Sequence, residues 1–298
     1  MSKQISSLIL LLSALIISSC NRVKMSDDNT AKTTSIDSSE IEISEDNEEC
    51  DTTVNQGEYW SQYEFNEAYV KEATDYENIV ESDFQNMVSL LPKYKDLFKN
   101  EKKKYDQYLK AVLVVSDFGD HGSSSPCFWS DMRHQSVELR NASFEKMLLH
   151  LQGEEVTFPK TKFTNSMIDQ AYQAFISSIY KNADMYQEYE ESELEEYKSN
   201  LKKEQKRWNE WMSYRSVVSS RLPQDLREIY DGCTNITKRI KLRQVKNQNQ
   251  ALGVTGHEPW DCILPENCTD KDLLEYPGFD KIWAKHIEDL DWYPTFGK

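Results

Sequence analysis

Two stretches of the chain, LPKYKDLFKNEKKKYDQYLKAVLVV (Leu91–Val115) and LEEYKSNLKKEQKRWNEWMSYRSVV (Leu194–Val218), lie one over the other at an offset of 103 residues. Leu91, Tyr94, Phe98, Glu101, Tyr105, Tyr108, Val112 and Val115 then fall on Leu194, Tyr197, Leu201, Glu204, Trp208, Trp211, Arg215 and Val218. The steps alternate between three and four residues, which puts all eight positions on one face of an α-helix. The residues between them are mostly Lys, Glu, Asn, Gln and Ser, so each helix has a seam that needs a partner and a back that faces water.

The agreement continues downstream. Cys127 precedes Arg133 by six residues and Leu139-Arg140 follows; Cys233 precedes Arg239 by the same six and Leu242-Arg243 follows. The pattern predicts an all-α fold of two related antiparallel helical-hairpin (three-helix) units, over residues 58–152 and 164–248. The joint is GEEVTFPKTKFT (Gly153–Thr164), where Gly, Pro and β-branched residues interrupt the helical period. In the first unit GDHGSSSPC (Gly119–Cys127) breaks the chain, with Ser125 placed as a helix N-cap and Pro126 at the first helical position. In the second, milder breaks are expected at Leu222-Pro223 and at Asp231-Gly232.

Composition supports this reading. Gly (9) and Pro (8) together make up about 6% of the 298 residues, where ordinary usage is roughly 12%. Turn-rich sandwiches and barrels are therefore disfavoured. The formal charge of -16 and the mean hydropathy of -0.73 describe a polar, acidic chain. Nucleic acid is excluded as the main partner, because phosphate binding needs a net basic face to release counterions.

The amino terminus points to location. Residues 1–20 read MSKQISSLILLLSALIISSC, one Lys followed by an apolar run Leu8–Ile17, two small residues and Cys20. This resembles a bacterial lipoprotein signal peptide, which implies acylation of Cys20 as the mature first residue. A membrane-spanning anchor is the alternative, but the ten-residue run is half the roughly 20 needed to cross a bilayer. Within the following segment, 21–57, Ser26–Asp51 holds ten acidic residues against one Lys and no aromatic residue. Such a stretch buries too little apolar area to offset its ordering entropy, so it reads as an acidic disordered tether, repelled by anionic headgroups.

After lipidation five cysteines remain: Cys50, Cys127, Cys233, Cys262 and Cys268. Outside the cytoplasm they can oxidise, and the odd count leaves a thiol unpaired or intermolecular. Cys262 and Cys268 flank a short Pro-containing loop and are the expected local disulfide. A metal site with His257 and Asp261 is the competing use of these residues, but Cys-x5-Cys with one His is a poor zinc pattern, and no metal and no cofactor are expected. The tail, 251–298, carries Trp260, Tyr276, Phe279, Trp283, Trp292, Tyr293 and Phe296. Thr269 begins a capped helical run, Pro277-Gly278 breaks it, and an amphipathic helix is expected over 280–290. The segment is read as packing on the repeats, with sugar stacking by a surface aromatic cluster as the alternative.

In the second unit, LKKEQKRWNEWMSYRSVVSSRLPQDLREIYDGCTNITKRIKLRQ is similar to the domain of LprI-like lysozyme-inhibitor lipoproteins. Leu201, Gln205, Trp208, Tyr214, Arg215, Cys233, Arg239 and Leu242 stand at the family's motif positions. The resemblance covers about 45 residues and extends through the repeat to the first unit, where Tyr105 replaces Trp and Val112 replaces Arg. Where the family carries a Cys four residues after the Tyr-Arg pair, this chain has Ser219, and a bridge between Cys127 and Cys233 across the units is the substitute the resemblance suggests. The resemblance implies an envelope protein of helical hairpins, in some members an inhibitor of lysozyme.

The residues themselves leave alternatives open. Trp208 and Trp211 read as core aromatics or as a ligand platform. Arg215 reads as a buried cation paired with a carboxylate such as those in Glu188–Glu196, or as a charge presented at a site. Lys198–Lys246 holds thirteen basic against five acidic residues; this is either a solvated face paired with the acidic stretch Asp184–Glu196 or a patch for an anionic glycan or lipid headgroup. The sequence contains no G-x-S-x-G, no phosphate-cradling Gly loop and no H-E-x-x-H, and its five His are scattered. The expected function is therefore non-enzymatic: a lipid-anchored binding protein of the bacterial cell envelope, inhibiting lysozyme-type muramidases. The alternatives are a structural or assembly lipoprotein that binds another envelope protein or glycan, and a glycan-active enzyme built on a carboxylate pair.

Overall fold

The computed structural model describes residues 61–116, 118, 125–181, 189–247 and 264–278, all within the compact unit Gly57–Lys298. The signal-like segment 1–20, Cys20 and the acidic segment 21–57 lie outside the described residues. The described chain is all α-helical, with no strand among the described residues.

Helix α1 (Gln62–Leu90) starts at a capping box in which Ser61 Oγ accepts from the Glu64 amide and the Glu64 carboxylate accepts from the Ser61 amide at 2.8 Å. A 3₁₀ turn over Pro92–Tyr94 leads into α2 (Lys95–Ser116). Helix α3 (Ser125–Ala142) and the short α4 (Glu145–Leu151) complete the first group. Gly153, at φ +88°, ends α4 in the left-handed region that glycine tolerates. The second group is α5 (Asn165–Lys181), α6 (Glu191–Arg221) and α7 (Gln224–Lys246). No helix among the described residues is long and apolar enough to cross a membrane.

Within the first group α1 packs on α3 and α4, and α2 on α3; within the second α5 packs on α7 and α6. The two groups meet through α2 against α6, the most extensive helix pair, and through α3 and α4 against α7. The α2–α6 pair is antiparallel, since Glu101 meets Trp211 and Arg215 while Val115 clusters with Tyr197 and Leu201. Of the sixteen seam positions, fourteen are buried and only Tyr94 and Leu194 are partly exposed.

The sequence break expected at Leu222-Pro223 separates α6 from α7, where Arg227 holds the freed Ser219 and Leu222 carbonyls at 3.1 and 2.9 Å. The second expected break does not occur. Asp231-Gly232 lies inside α7, and the glycine serves close packing: a Cβ there would stand 2.4–2.6 Å from ring atoms of Phe158. The interrupted joint Gly153–Thr164 runs over α7 as non-helical chain. Asn235 clamps it, donating to the Thr161 carbonyl and accepting from the Phe163 amide, both at 2.8 Å.

The described part of the tail, 264–278, packs on the second group. Thr269 and Asp272 form a capping box at the start of α8 (Asp270–Glu275), and Leu264, Cys268 and Leu273 enter the same core cluster as Trp208 and Leu242. Arg239 pairs with Asp270 at 2.7 Å, and Lys246 donates to the Leu273 and Tyr276 carbonyls at 2.7 and 2.8 Å. Residues 280–290 and the aromatics Trp260, Phe279, Trp283, Trp292, Tyr293 and Phe296 lie outside the described residues.

Candidate functional site

The centre of the α2–α6 pair is an aromatic group with a two-fold pattern. Tyr105 sits edge-on to Trp211 at 5.1 Å between ring centroids, and Tyr108 edge-on to Trp208 at 5.6 Å, while Tyr108 and Trp211 stack on each other. At the offset of 103, Tyr105 corresponds to Trp208 and Tyr108 to Trp211, so the first two contacts are each other's equivalents. Both tryptophans are fully buried and act as core.

A buried carboxylate flanks this group on each helix. Glu101 accepts from Arg140 Nη1 at 2.6 Å, Trp211 Nε1 at 2.5 Å and Arg215 Nη1 at 3.2 Å. Its counterpart Glu204 accepts from Tyr172 and from Lys241 Nζ, each at 2.7 Å. Burial raises the Glu101 carboxyl, but the guanidinium groups of Arg140 and Arg215 outweigh it and hold the group below the usual carboxylate range. Burial, and after it the Glu204 charge, pushes the Tyr108 and Tyr172 hydroxyls well above their ordinary value. These pairs neutralise charge inside the core; Glu101 ties α2 to α6 through Trp211 and Arg215, and Glu204 ties α6 to α5 and α7 through Tyr172 and Lys241.

Arg215 is thus a buried, paired cation, but its partner is not among Glu188–Glu196. Antiparallel packing puts its end of α6 against the start of α2, about 35 Å along the helix from residue 192 at 1.5 Å per residue. It also donates to the Ser143 carbonyl at 2.9 Å and to Thr234 Oγ1 at 2.8 Å, and lies over the Tyr230 ring.

Of the motif positions, Leu201, Trp208, Arg215, Cys233 and Leu242 point inward. Arg239 anchors the tail through Asp270 and the Cys268 carbonyl. Gln205 and Tyr214 are partly exposed, and Gln205 with Asn209 donates to Asp169 on α5 at 2.6 and 3.0 Å. Sequence reasoning does not single out Glu101 with Arg140, nor Asp169. The available signal for the first is an acid on the apolar seam in both copies.

Cys233 is buried with a free thiol, so the Cys127–Cys233 bridge is not formed; burial first of all pushes that thiol up to about 11. Cys268 is also buried and free. Its expected partner Cys262, together with His257 and Asp261, lies outside the described residues, as do the side chain of Cys127 and the whole of Cys50. Among the described residues no cluster of His, Cys, Asp and Glu is placed to hold a metal ion.

The basic stretch divides. Arg215, Arg239, Lys241 and Arg243 are spent on Glu101, Asp270, Glu204 and Glu138. Among the described residues one ion pair, Lys198 with Glu195 at 3.0 Å, links the stretch to the acidic run expected to neutralise it. Lys202 and Lys206 of the stretch line, with Lys104 of α2, a shallow groove of about 660 Å³ along α6 that also includes Gln205, Asn209, Glu210, Ser213, Tyr214 and Val217. A smaller cleft of about 350 Å³ lies between α5, α7 and the tail, with Phe175, Leu242, Val245 and Tyr276 in its lining.

No family model, no curated protein and no solved structure matches this chain.

Proposed function

We propose that the chain is a lipid-anchored binding protein of the bacterial cell envelope that acts on muramidases of the lysozyme type. The observation that carries the reading is the order of its amino-terminal parts: a short apolar run ending at Cys20, ten acids over Ser26–Asp51, then the folded helical unit. That order suits a domain held by lipid and kept off the membrane by a charged tether. The resemblance to LprI-like lipoproteins supports the choice of partner. The inward placement of Leu201, Trp208 and Arg215 gives those motif positions a packing role, so recognition falls to the surface. A basic enzyme would be steered to exposed acids such as Glu64, Glu67, Glu72 and Asp75 on α1.

The test has two parts. Radiolabelled palmitate fed to producing cells should label the wild-type chain and not Cys20→Ala. Excess purified chain should slow clearing of a cell-wall suspension by lysozyme, the more so at low salt. Unlabelled wild type removes the anchor; unchanged clearing removes the inhibitor; clearing by the chain alone makes it a glycan-active enzyme instead. A second reading, an assembly lipoprotein, is favoured by the partly apolar cleft beside Tyr276, which would seat an apolar segment of another envelope protein.

A further inference from the structure

The groove along α6 is built from three kinds of group. Lys104, Lys202 and Lys206 supply charge, and among the described residues none of the three stands within ion-pair distance of a carboxylate. The one acid in the lining, Glu210, is already held by Arg207 at 2.7 Å. Gln205, Asn209 and Ser213 add neutral polar side chains to the lining, and Tyr214 and Val217 an apolar end. Asp169 accepts from the amide nitrogens of both Gln205 and Asn209 and so fixes both side chains; Asn209 Oδ1 is left buried without a donor.

The basic pattern belongs to both helices. Lys99, Lys103 and Lys104 on α2 correspond to Lys202, Lys206 and Arg207 on α6 at the same offset of 103. Lys99, Lys103, Lys202, Lys206 and Arg207 are exposed and Lys104 half-buried, so both helices carry cations outside the seam in a chain whose formal charge is -16. From Lys202 to Val217 the groove is about 22 Å long at 1.5 Å per residue.

We infer that this groove binds a linear acidic polysaccharide. Cations together with amides and a hydroxyl match a chain that alternates carboxylates with sugar hydroxyls, and the Tyr214 ring offers a face for a sugar ring. A lipid surface is flat and would meet protruding cations rather than a groove. A nucleic acid would find no series of stacking rings here. The assignment holds whether or not Cys20 is acylated.

The experiment uses the full chain in non-ionic detergent and a fluorescent oligogalacturonate of about eight sugars, read by anisotropy. Saturable binding is expected, weakening steeply with added salt. The triple variant K104Q/K202Q/K206Q should bind at least about tenfold more weakly, while K71Q/K160Q/K271Q, exposed lysines elsewhere, should stay within about twofold. Any of these results would overturn the inference: no saturable binding, equal loss in both triples, tighter binding to mixed micelles containing phosphatidylglycerol, or tighter binding to an oligothymidylate of equal charge. Neutral maltooligosaccharide binding as tightly as the acidic one would overturn it as well.

Discussion

Arg215 on α6 reaches Glu101 on α2 at 3.2 Å, with both side chains 1% exposed and 114 residues apart in the chain. Arg140 closes the other side of the same carboxylate at 2.6 Å. The first group of helices supplies the acid and one cation, and the second group the other cation, so the network joins the two halves.

Arg215→Met should lower unfolding stability by about 3 kcal/mol, the lower end of the range for breaking a buried pair, since Arg140 still neutralises Glu101. Glu101→Leu should cost more, because it strands two guanidinium groups. The triple replacement of Glu101, Arg140 and Arg215 by Leu, Met and Met should recover part of that loss. Urea unfolding of the three variants decides; an Arg215→Met protein as stable as wild type would remove the network from the account.

Acid should act in two opposite steps. Burial chiefly raises the carboxyls of Glu138 and Glu145, so each contributes stability at low pH that is lost as pH rises through its folded value. Glu101 is lowered on balance, so its contribution is present above about pH 4.3, the ordinary value, and is lost as pH falls through its folded value. On titration down from about pH 7 the urea midpoint should first hold or rise, then fall below about pH 4. Glu138→Gln should flatten the upper limb. A steady fall across the whole range in the wild type would contradict this assignment.

Gly232→Ala pits two effects against each other. Ala gains about 1 kcal/mol of helix propensity, but its Cβ meets the Phe158 ring at 2.4–2.6 Å, and overpacking of this kind costs about 1–3 kcal/mol. The single substitution should destabilise. In a Phe158→Ala background the same change should stabilise, and thermal unfolding of the cycle reads the change of sign.

Cys233 should resist alkylation in the folded chain. With its thiol buried and pushed up to about 11, N-ethylmaleimide at pH about 8 should leave it unmodified until denaturant is added. Peptide mass mapping before and after unfolding checks this, and recovery of a Cys127–Cys233 linked peptide would speak against the free thiol.

Lys246→Ala should act locally. Removing the ammonium that collects the Leu273, Leu274 and Tyr276 carbonyls should raise hydrogen exchange over 264–278, with little change in α2 and α6. Equal deprotection of the α2–α6 pair would mean that the tail is part of the main cooperative unit.

The helical class and the inward face of α2 and α6 are legible in the residues alone, because a three-four spacing of apolar residues has one physical solution and both copies show it. The breaks are less legible. Leu222-Pro223 ends a helix because proline cannot donate, whereas Gly232 sits inside one, and only the approach of Phe158 explains a glycine there. Arg215 shows the same division. Its place on a seam announces a buried cation that needs an acid, but the acid it meets is Glu101, 114 residues away on another helix, and not one of the acids of its own helix such as Glu191, Glu193 or Glu196.

The sequence by itself determined periodicity, capping at Thr269, and which residues had to leave water, since these depend on neighbours within a turn or two. Only the tertiary structure decided which charges meet and which stay outside. The antiparallel docking of α2 on α6 brings Glu101 to Arg215 and leaves Lys104, Lys202 and Lys206 along one groove. Pairings across more than a hundred residues depend on how two faces pack, and local spacing carries no record of that.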